Sequence, residues 1–326
     1  LDGLTVVKDD DEPDPEKRYK LIANMQDRRM WAPAYRSHYP DVTEQQIEEA
    51  RAIFGQYLDT SPDGIHWTRR PKRLLPARYG DYMMVHRDHR NKQWWLNERP
   101  LALKGRNVGL RVSKDLISWN DPADILFSNT PEMGFGDAYQ WHGGITPFNY
   151  GNMNLGMLEK WANVGFGDYC ELVSGRDGLP WERVVPGKPF LDTGPENSFD
   201  RVLSYPTHNA PIRIGNKLCI YYTGMGSFDP NRKGQSFLGE RRTKEGDLYS
   251  PTKLDNGQMA MGVAVIGLDR FAGMAHVRQE VGRLLLKPAT ITHSGIEINF
   301  EPLLNPHIKL GLRDTNGDFI PGFTHD

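Results

Sequence analysis

A short turn sequence recurs along this chain, and it limits the fold more than any other feature does. Asp63-Gly64-Ile65-His66-Trp67 is followed by Asp115-Leu116-Ile117-Ser118-Trp119 and by Asp177-Gly178-Leu179-Pro180-Trp181. The three aspartates stand 52 and 62 residues apart, a period that suits one four-stranded sheet per repeat. The turn has a mechanical reading. An Asp side chain can accept nearby backbone N–H groups, and a following Gly tolerates positive φ. The Trp then starts the next strand and packs between neighbouring sheets. A degenerate fourth copy, Gly267-Leu268-Asp269-Arg270-Phe271, closes an apolar run over Ala260 to Val265. These residues are read as structural rather than catalytic.

Strand-like runs precede each turn: Arg18 to Ala23, Tyr82 to His86, Met153 to Leu158 and Lys217 to Tyr222. They are short, partly aromatic or β-branched, and bounded by Gly, Asn or Asp. The clearest helix runs from Thr43 to Phe54, opened by Thr43 with Gln46 three residues on, the spacing of a capping box. It reads as an insertion in the first repeat. Gly226 to Gly257, polar and rich in Arg and Lys, reads as a second insertion, a long rim loop. Past Ala275 three segments alternate apolar and polar residues: Arg283 to Pro288, Gly295 to Asn299 and Lys309 to Asp314. The last leads into the hairpin signal Asp314-Thr315-Asn316-Gly317-Asp318. The predicted organisation is therefore all-β: a β-propeller over residues 1–275, with about four blades visible, and the opening strands of a C-terminal β-sandwich over residues 276–326.

Bulk properties exclude several function classes. Forty Lys and Arg against 42 Asp and Glu give a formal charge of -2, with no basic excess to hold nucleic acid. No apolar run reaches the length needed to span a bilayer. Cys170 and Cys219 are too few for a disulfide framework, and both sit in apolar runs as small core residues would. The sequence contains no Gly-rich phosphate loop, Cys-x-x-Cys, His-Glu-x-x-His or Gly-x-Ser-x-Gly, so nucleotide, zinc and serine-hydrolase chemistry lack support. No cofactor and no metal site is expected. The chain opens at Leu1 rather than Met, the look of a mature, trimmed or partial sequence. An extracytoplasmic or secreted location stays open.

The turns Asp-Gly-Ile-His-Trp and Ser-Lys-Asp-Leu-Ile-Ser-Trp, with Tyr221-Tyr222-Thr223-Gly224, resemble the five-bladed propeller glycoside hydrolases: arabinanases, β-xylosidases and the invertase/levansucrase group. The tryptophan follows its aspartate by four residues, unlike the five of the sialidase Asp-box. The order of propeller then sandwich is similar to the invertase-like members. The resemblance implies a fifth blade, which would lie upstream of Leu1 and in the family supplies the base or nucleophile. It also implies carboxylates converging on the propeller axis from the turns that lead into each blade's innermost strand. Three such turns carry Asp in register, Asp81, Asp137 and Asp200, spaced 56 and 63 residues apart. Asp at such a turn also has a backbone explanation.

By blade position Glu171 is the candidate general acid, with an outer-strand placement as its alternative. Arg87, in His86-Arg87-Asp88, is similar to the Arg-Asp pair of invertase-like enzymes, although His89 stands where they have Pro. It is a candidate to clamp a hydroxyl or carboxylate, or else part of a solvated hairpin. His142 and His208 are candidates to bond sugar hydroxyls, and Trp141, Tyr139 and Tyr205 to face sugar C–H groups. The expected activity is hydrolysis of a glycosidic bond in an oligo- or polysaccharide, through an oxocarbenium-like state flanked by two carboxyl groups. Two alternatives stand beside it. One is a non-catalytic glycan-binding or scaffold propeller. The other is a mannoside phosphorylase-like propeller, which would need Arg, Lys and His gathered around a phosphate.

Overall fold

The structure, a computed structural model, describes residues 4–25, 27–33, 39–70, 73–76, 83–98, 108–120, 123–124, 139–162, 169–175, 181–195, 198–225, 241–242, 248–249, 260–274, 282–292, 295–300 and 308–325. The chain divides into two compact units, Leu1–Phe271 and Ala272–Asp326.

In the first unit, antiparallel sheets follow one another in chain order. The first sheet holds β1 (Leu4–Lys8), β2 (Tyr19–Met25), β3 (Gly55–Ser61) and β4 (Thr68–Arg69), and β5 (Leu75–Pro76) continues the outer edge along β3. The second holds β6 (Met83–Asp88), β7 (Gln93–Glu98), β8 (Gly109–Ser113) and β9 (Ala123–Asp124). The third holds β10 (Tyr139–Tyr150), β11 (Met153–Ala162), β12 (Tyr169–Gly175) and β13 (Glu182–Arg183). In the fourth, β14 (Leu203–Pro206) and β15 (Ile212–Ile214) share one edge of β16 (Lys217–Met225). A two-stranded ribbon, β17 (Arg241–Arg242) and β18 (Leu248–Tyr249), precedes β19 (Ala260–Gly267), which covers the other edge of β16.

The first strands of the first three sheets adjoin one another. Thr5 on β1 donates its hydroxyl to Met83 O (3.2 Å) and accepts Val85 N (3.3 Å) on β6. Thr146 on β10 reaches Met84 Sδ at 3.2 Å. Alternation along β6 then sends Met83 and Val85 to the first sheet and Met84 and His86 to the third. Apolar clusters fill each gap. Ile22 and Leu58 meet Met83, Val85, Trp94 and Leu96, and Trp95 and Leu110 meet Ile145, Leu158, Val173 and Trp181. Phe148, Met157 and Cys170 meet Ile220 and Tyr222. Four sheets stacked in succession, the first three around β1, β6 and β10 and the fourth with β14 beside β12, form a β-propeller.

The recurrent turn behaves as its chemistry dictates. Asp63 Oδ1 accepts Ile65 N and His66 N, both at 2.8 Å, and Asp115 Oδ1 accepts Ile117 N at 2.8 Å and Ser118 N at 2.7 Å. These backbone donors hold the Asp115 carboxyl down at about 2, and Asp63, hydrogen-bonded first by His66 and then by the same kind of N–H, lower still. Gly64 takes φ +79°, and Leu116, its counterpart, takes φ +62° despite its Cβ. That strain is offset because Leu116 is buried in the cluster between the first and second sheets. Trp181 lies against Gly156 and Gly175, where any Cβ would meet the indole within about 3 Å. In the degenerate fourth copy Asp269 exchanges hydrogen bonds with Tyr150 (2.8 and 3.0 Å), and Phe271 packs on Phe148, Tyr150 and Phe190.

Helix α1 (Glu44–Ile53) carries the expected capping box, Thr43 N to Gln46 Oε1 at 2.9 Å and Gln46 N to Thr43 Oγ1 at 3.2 Å. Of the two cysteines, Cys170 is buried and Cys219 half-buried, and neither forms a disulfide.

In the second unit the expected sandwich strands are not formed among the described residues. Arg283 to Pro288 and most of Gly295 to Asn299 carry no ladder, and Arg313–Phe319 is a single bridge. The hairpin signal does close a turn, with Asp314 N to Asp318 O at 2.8 Å and Asp314 Oδ1 accepting Asn316 N at 2.9 Å. Alternation alone does not make a strand. It needs a paired neighbour, and a stretch of this length supplies too few strands for two sheets.

Candidate active site

Among the aspartates expected at strand starts, Asp200 is the one within the described residues; Asp81 and Asp137 lie outside them. Asp200 stands just upstream of β14 and is 9% exposed. Its Oδ2 accepts the Tyr222 hydroxyl at 2.7 Å and its Oδ1 the Ser198 hydroxyl at 2.7 Å. Burial, and then the hydrogen bond to Asp200, push the Tyr222 phenol up to about 12, so its proton stays and donates. Two glycines make room. A Cβ at Gly194 would collide with Asp200 Oδ1, and one at Gly224 would lie 2.8 Å from Asp200 Cβ. The Gly of Tyr221-Tyr222-Thr223-Gly224 is thus the price of seating this carboxylate.

The third sheet has an irregular leading end. Along β10 the register with β11 shifts between Trp141, opposite Lys160, and Ile145, opposite Leu158. The extra residues, His142 to Gly144, form a bulge, a device proteins use to re-aim side chains beside functional sites. Tyr139 and Trp141 flank it on the same strand. After the bulge, Ile145 N is received by the buried Asn97 Oδ1 at 3.0 Å. Across the ladder stand Glu159 and Lys160, 1% and 4% exposed. Sequence reasoning missed both. The available signal was an apolar strand, Met153 to Leu158, running without a turn residue into a Glu-Lys pair; charges are rarely buried without a reason.

Three other expected residues sit elsewhere. Glu171 lies on β12, the third strand of its sheet. Its two oxygens are held by Arg183 Nε and Nη2 at 2.6 and 2.7 Å, and Oε1 also accepts Gly187 N at 3.1 Å. That is the outer-strand alternative. Glu98 and Arg111 form a similar pair in the second sheet, at 2.8 Å, and burial raises the Glu98 pKa. Arg87 lies near the finishing end of β6, opposite to the end that Asp81 precedes. His208 follows β14, whereas Asp200 leads into it. The end of a strand on which a residue falls is set by long-range pairing, which sequence register did not specify. Among the described residues no group of three or more His, Cys, Asp or Glu could hold a metal ion, and no helix is long and apolar enough to cross a membrane.

Comparison with known proteins gives neighbours only at the level of structure; no family model and no curated protein matches. A provisionally assigned glycosidase from Bacteroides thetaiotaomicron VPI-5482 aligns at 14% identity and TM-score 0.45, over 66% of this chain and 60% of that one. These neighbours are glycan-processing proteins. The β-1,2-mannobiose phosphorylase of Listeria innocua aligns at 15% identity and TM-score 0.38, over 52% of this chain and 45% of its own. A variant of the GH32 β-fructofuranosidase of Bombyx mori, in complex with sucrose, aligns at 14% identity and TM-score 0.36, over 53% and 36%. The chain thus spans less than two thirds of the length of each of these three.

Proposed function

We propose that this chain is a glycan-processing propeller that hydrolyses a glycosidic bond with carboxylates gathered at the leading ends of its first strands. The observation that carries this reading is Asp200, a buried aspartate directly upstream of β14 and gripped by two hydroxyls. Asp81 and Asp137 stand two residues before β6 and β10 in sequence, against three for Asp200 before β14, and by this spacing belong to the proposed set of carboxylates.

Hydrolysis needs one carboxylic acid to protonate the leaving oxygen and one carboxylate to attack the anomeric carbon or activate water. Asp200 accepts from Tyr222 and Ser198, which suits the carboxylate role. Glu159, sequestered on β11, is the better candidate for the acid, because Glu171 is committed to Arg183. His142 in the β10 bulge, with Trp141 and Tyr139 flanking it on the strand, supplies the proposed sugar contacts. A second reading, a non-catalytic glycan-binding propeller, is favoured by the same site: each Asp200 oxygen already has a hydroxyl partner, as a purely structural anchor would.

A glycoside panel incubated with the full chain separates the two. Hydrolysis is expected, falling about 10²–10⁴-fold in Asp200→Asn, the effect of losing one catalytic group, while the thermal midpoint stays close to wild type. Turnover unchanged in Asp200→Asn overturns the assignment. Retention on immobilised glycan without release favours the binding module.

A further inference from the structure

At the end of the molecule where β1 and β6 finish, a cleft of about 560 Å³ opens between the first and second sheets, with Leu58, Trp94 and Leu116 among its lining residues. We propose that this cleft is a binding site for an oxyanion, a phosphate or carboxylate group on a small ligand, held by Arg87, Arg70 and Lys114.

Unmatched hydrogen-bond donors carry this inference, since in charge Arg70, Arg87 and Lys114 are offset by Asp9, Asp11 and Asp115. Several cations at the cleft are already matched. Lys20 Nζ bonds Glu12 and the Lys17 carbonyl at 2.5 and 2.6 Å, Lys17 pairs with Asp14 at 2.8 Å, and Arg69 binds both oxygens of Asp59 at 3.1 Å. Two of the acids are spent on backbone. Asp9 caps Asp11 N at 3.2 Å, and Asp115 caps its own turn. Among the described residues Arg70, Arg87 and Lys114 have no carboxylate within hydrogen-bond distance.

Arg87 is the most constrained of them. Its side chain is 11% exposed and stacks 4.9 Å over the Trp94 ring. Its nearest carboxylate, Asp11 Oδ2, is 3.6 Å from Nη2, beyond a hydrogen bond, and that aspartate is 59% exposed and also 3.8 Å from His89. Arg87 Nε and Nη1 and Arg70 Nη1 find no acceptor among the described residues. A largely buried guanidinium with a single distant, solvated counter-charge is poorly compensated, and an oxyanion in the cleft supplies both charge and acceptors. The aromatic and aliphatic lining leaves room for an apolar or saccharide body behind that group.

This site stands at the other end of the strands from Asp200 and does not depend on the hydrolysis reading. It is read without any glycan, by calorimetric titration of the full chain with sodium phosphate and, separately, sodium glucuronate at constant ionic strength. Saturable binding of at least one is expected, weakened about tenfold in Arg87→Gln, the loss of a charge-assisted contact. Arg70→Gln, just past the short outer strand β4 and away from the Trp94 stack, is expected to weaken it as well and guards against a folding defect in the first variant. Binding of phosphate alone assigns a tetrahedral group, and binding of glucuronate an acidic sugar. No saturation by either up to about 10 mM, the weak limit for a specific small-ligand site, overturns the proposal, as does affinity unchanged in both variants.

Discussion

The third and fourth sheets share one interface and differ on their other faces. The third is buried on both sides: Ile145, Leu158, Val173 and Trp181 face the second sheet, and Phe148, Met157 and Cys170 face the fourth. The fourth spends Ile220, Tyr222, Ala264 and Ile266 on that shared interface. Its other face carries Tyr221, Met261, Val263 and Val265, all of them exposed. Both sheets are apolar on two faces, as strands with neighbours on each side are. Composition therefore says that a face suits burial, while packing says whether it is buried. The energetic consequences should differ sharply.

The largest effect is expected at the closed interface. Trp181, 1% exposed, packs edge-on to Trp95 with ring centroids 5.6 Å apart. Trp181→Ala should cost about 3–5 kcal/mol, the range for deleting a buried large aromatic, read as a drop in the denaturant midpoint. A loss below about 1 kcal/mol would mean that the two sheets do not depend on this contact.

Next comes a pH effect on the same side of the molecule. His86 faces Trp95, and burial drives its pKa from 6.5 to about 4, against the opposing pull of Asp88. The folded state therefore keeps His86 neutral where the unfolded chain protonates it. Its contribution is complete above pH 6.5, is lost as pH falls from there towards 4, and then levels off. The size is on the order of 3 kcal/mol. The lowered carboxyls of Asp63 and Asp115 act only below about pH 4, so the two windows separate. Between pH 7 and 4.5 the raised Glu98 carboxyl acts with the opposite sign in both proteins, so the measured loss of stability on acidification should be larger in the wild type than in His86→Gln.

These cases also show what could be read in advance. The Asp63 and Asp115 turns, the Thr43 capping box and Trp181 were legible because their determinants lie within a few residues of one another. Glu171, Arg87 and His208 were misleading for one shared reason. Glu171 and His208 were singled out by their position along the chain relative to a repeat and Arg87 by its likeness to an Arg-Asp pair, whereas the surroundings of all three depend on which strand each joins and which end it occupies. Glu159 and Lys160 were visible as charges in an apolar strand, but only the register opposite the β10 bulge gives them a place. Past Ala275, alternation without partners was read as strands, and among the described residues the ladder did not follow.

The smallest effect tests the open face directly. Val173, fully buried, and Val263, 48% exposed, are both strand valines, one on each sheet. Valine to threonine keeps the shape and adds a hydroxyl, so the cost reports whether that hydroxyl is cut off from water. Val173→Thr should lose about 1–3 kcal/mol, the cost of burying an unsatisfied hydroxyl, and Val263→Thr should stay within about 0.5 kcal/mol. Denaturation of the two variants side by side gives the answer. Equal losses would mean that Val263 is as dry in solution as Val173, and the contrast between the two sheets would collapse. A neutral Val263→Thr beside a costly Val173→Thr would show that two faces of the same composition do different energetic work, because among the described residues only one of them has a neighbouring sheet to exclude water.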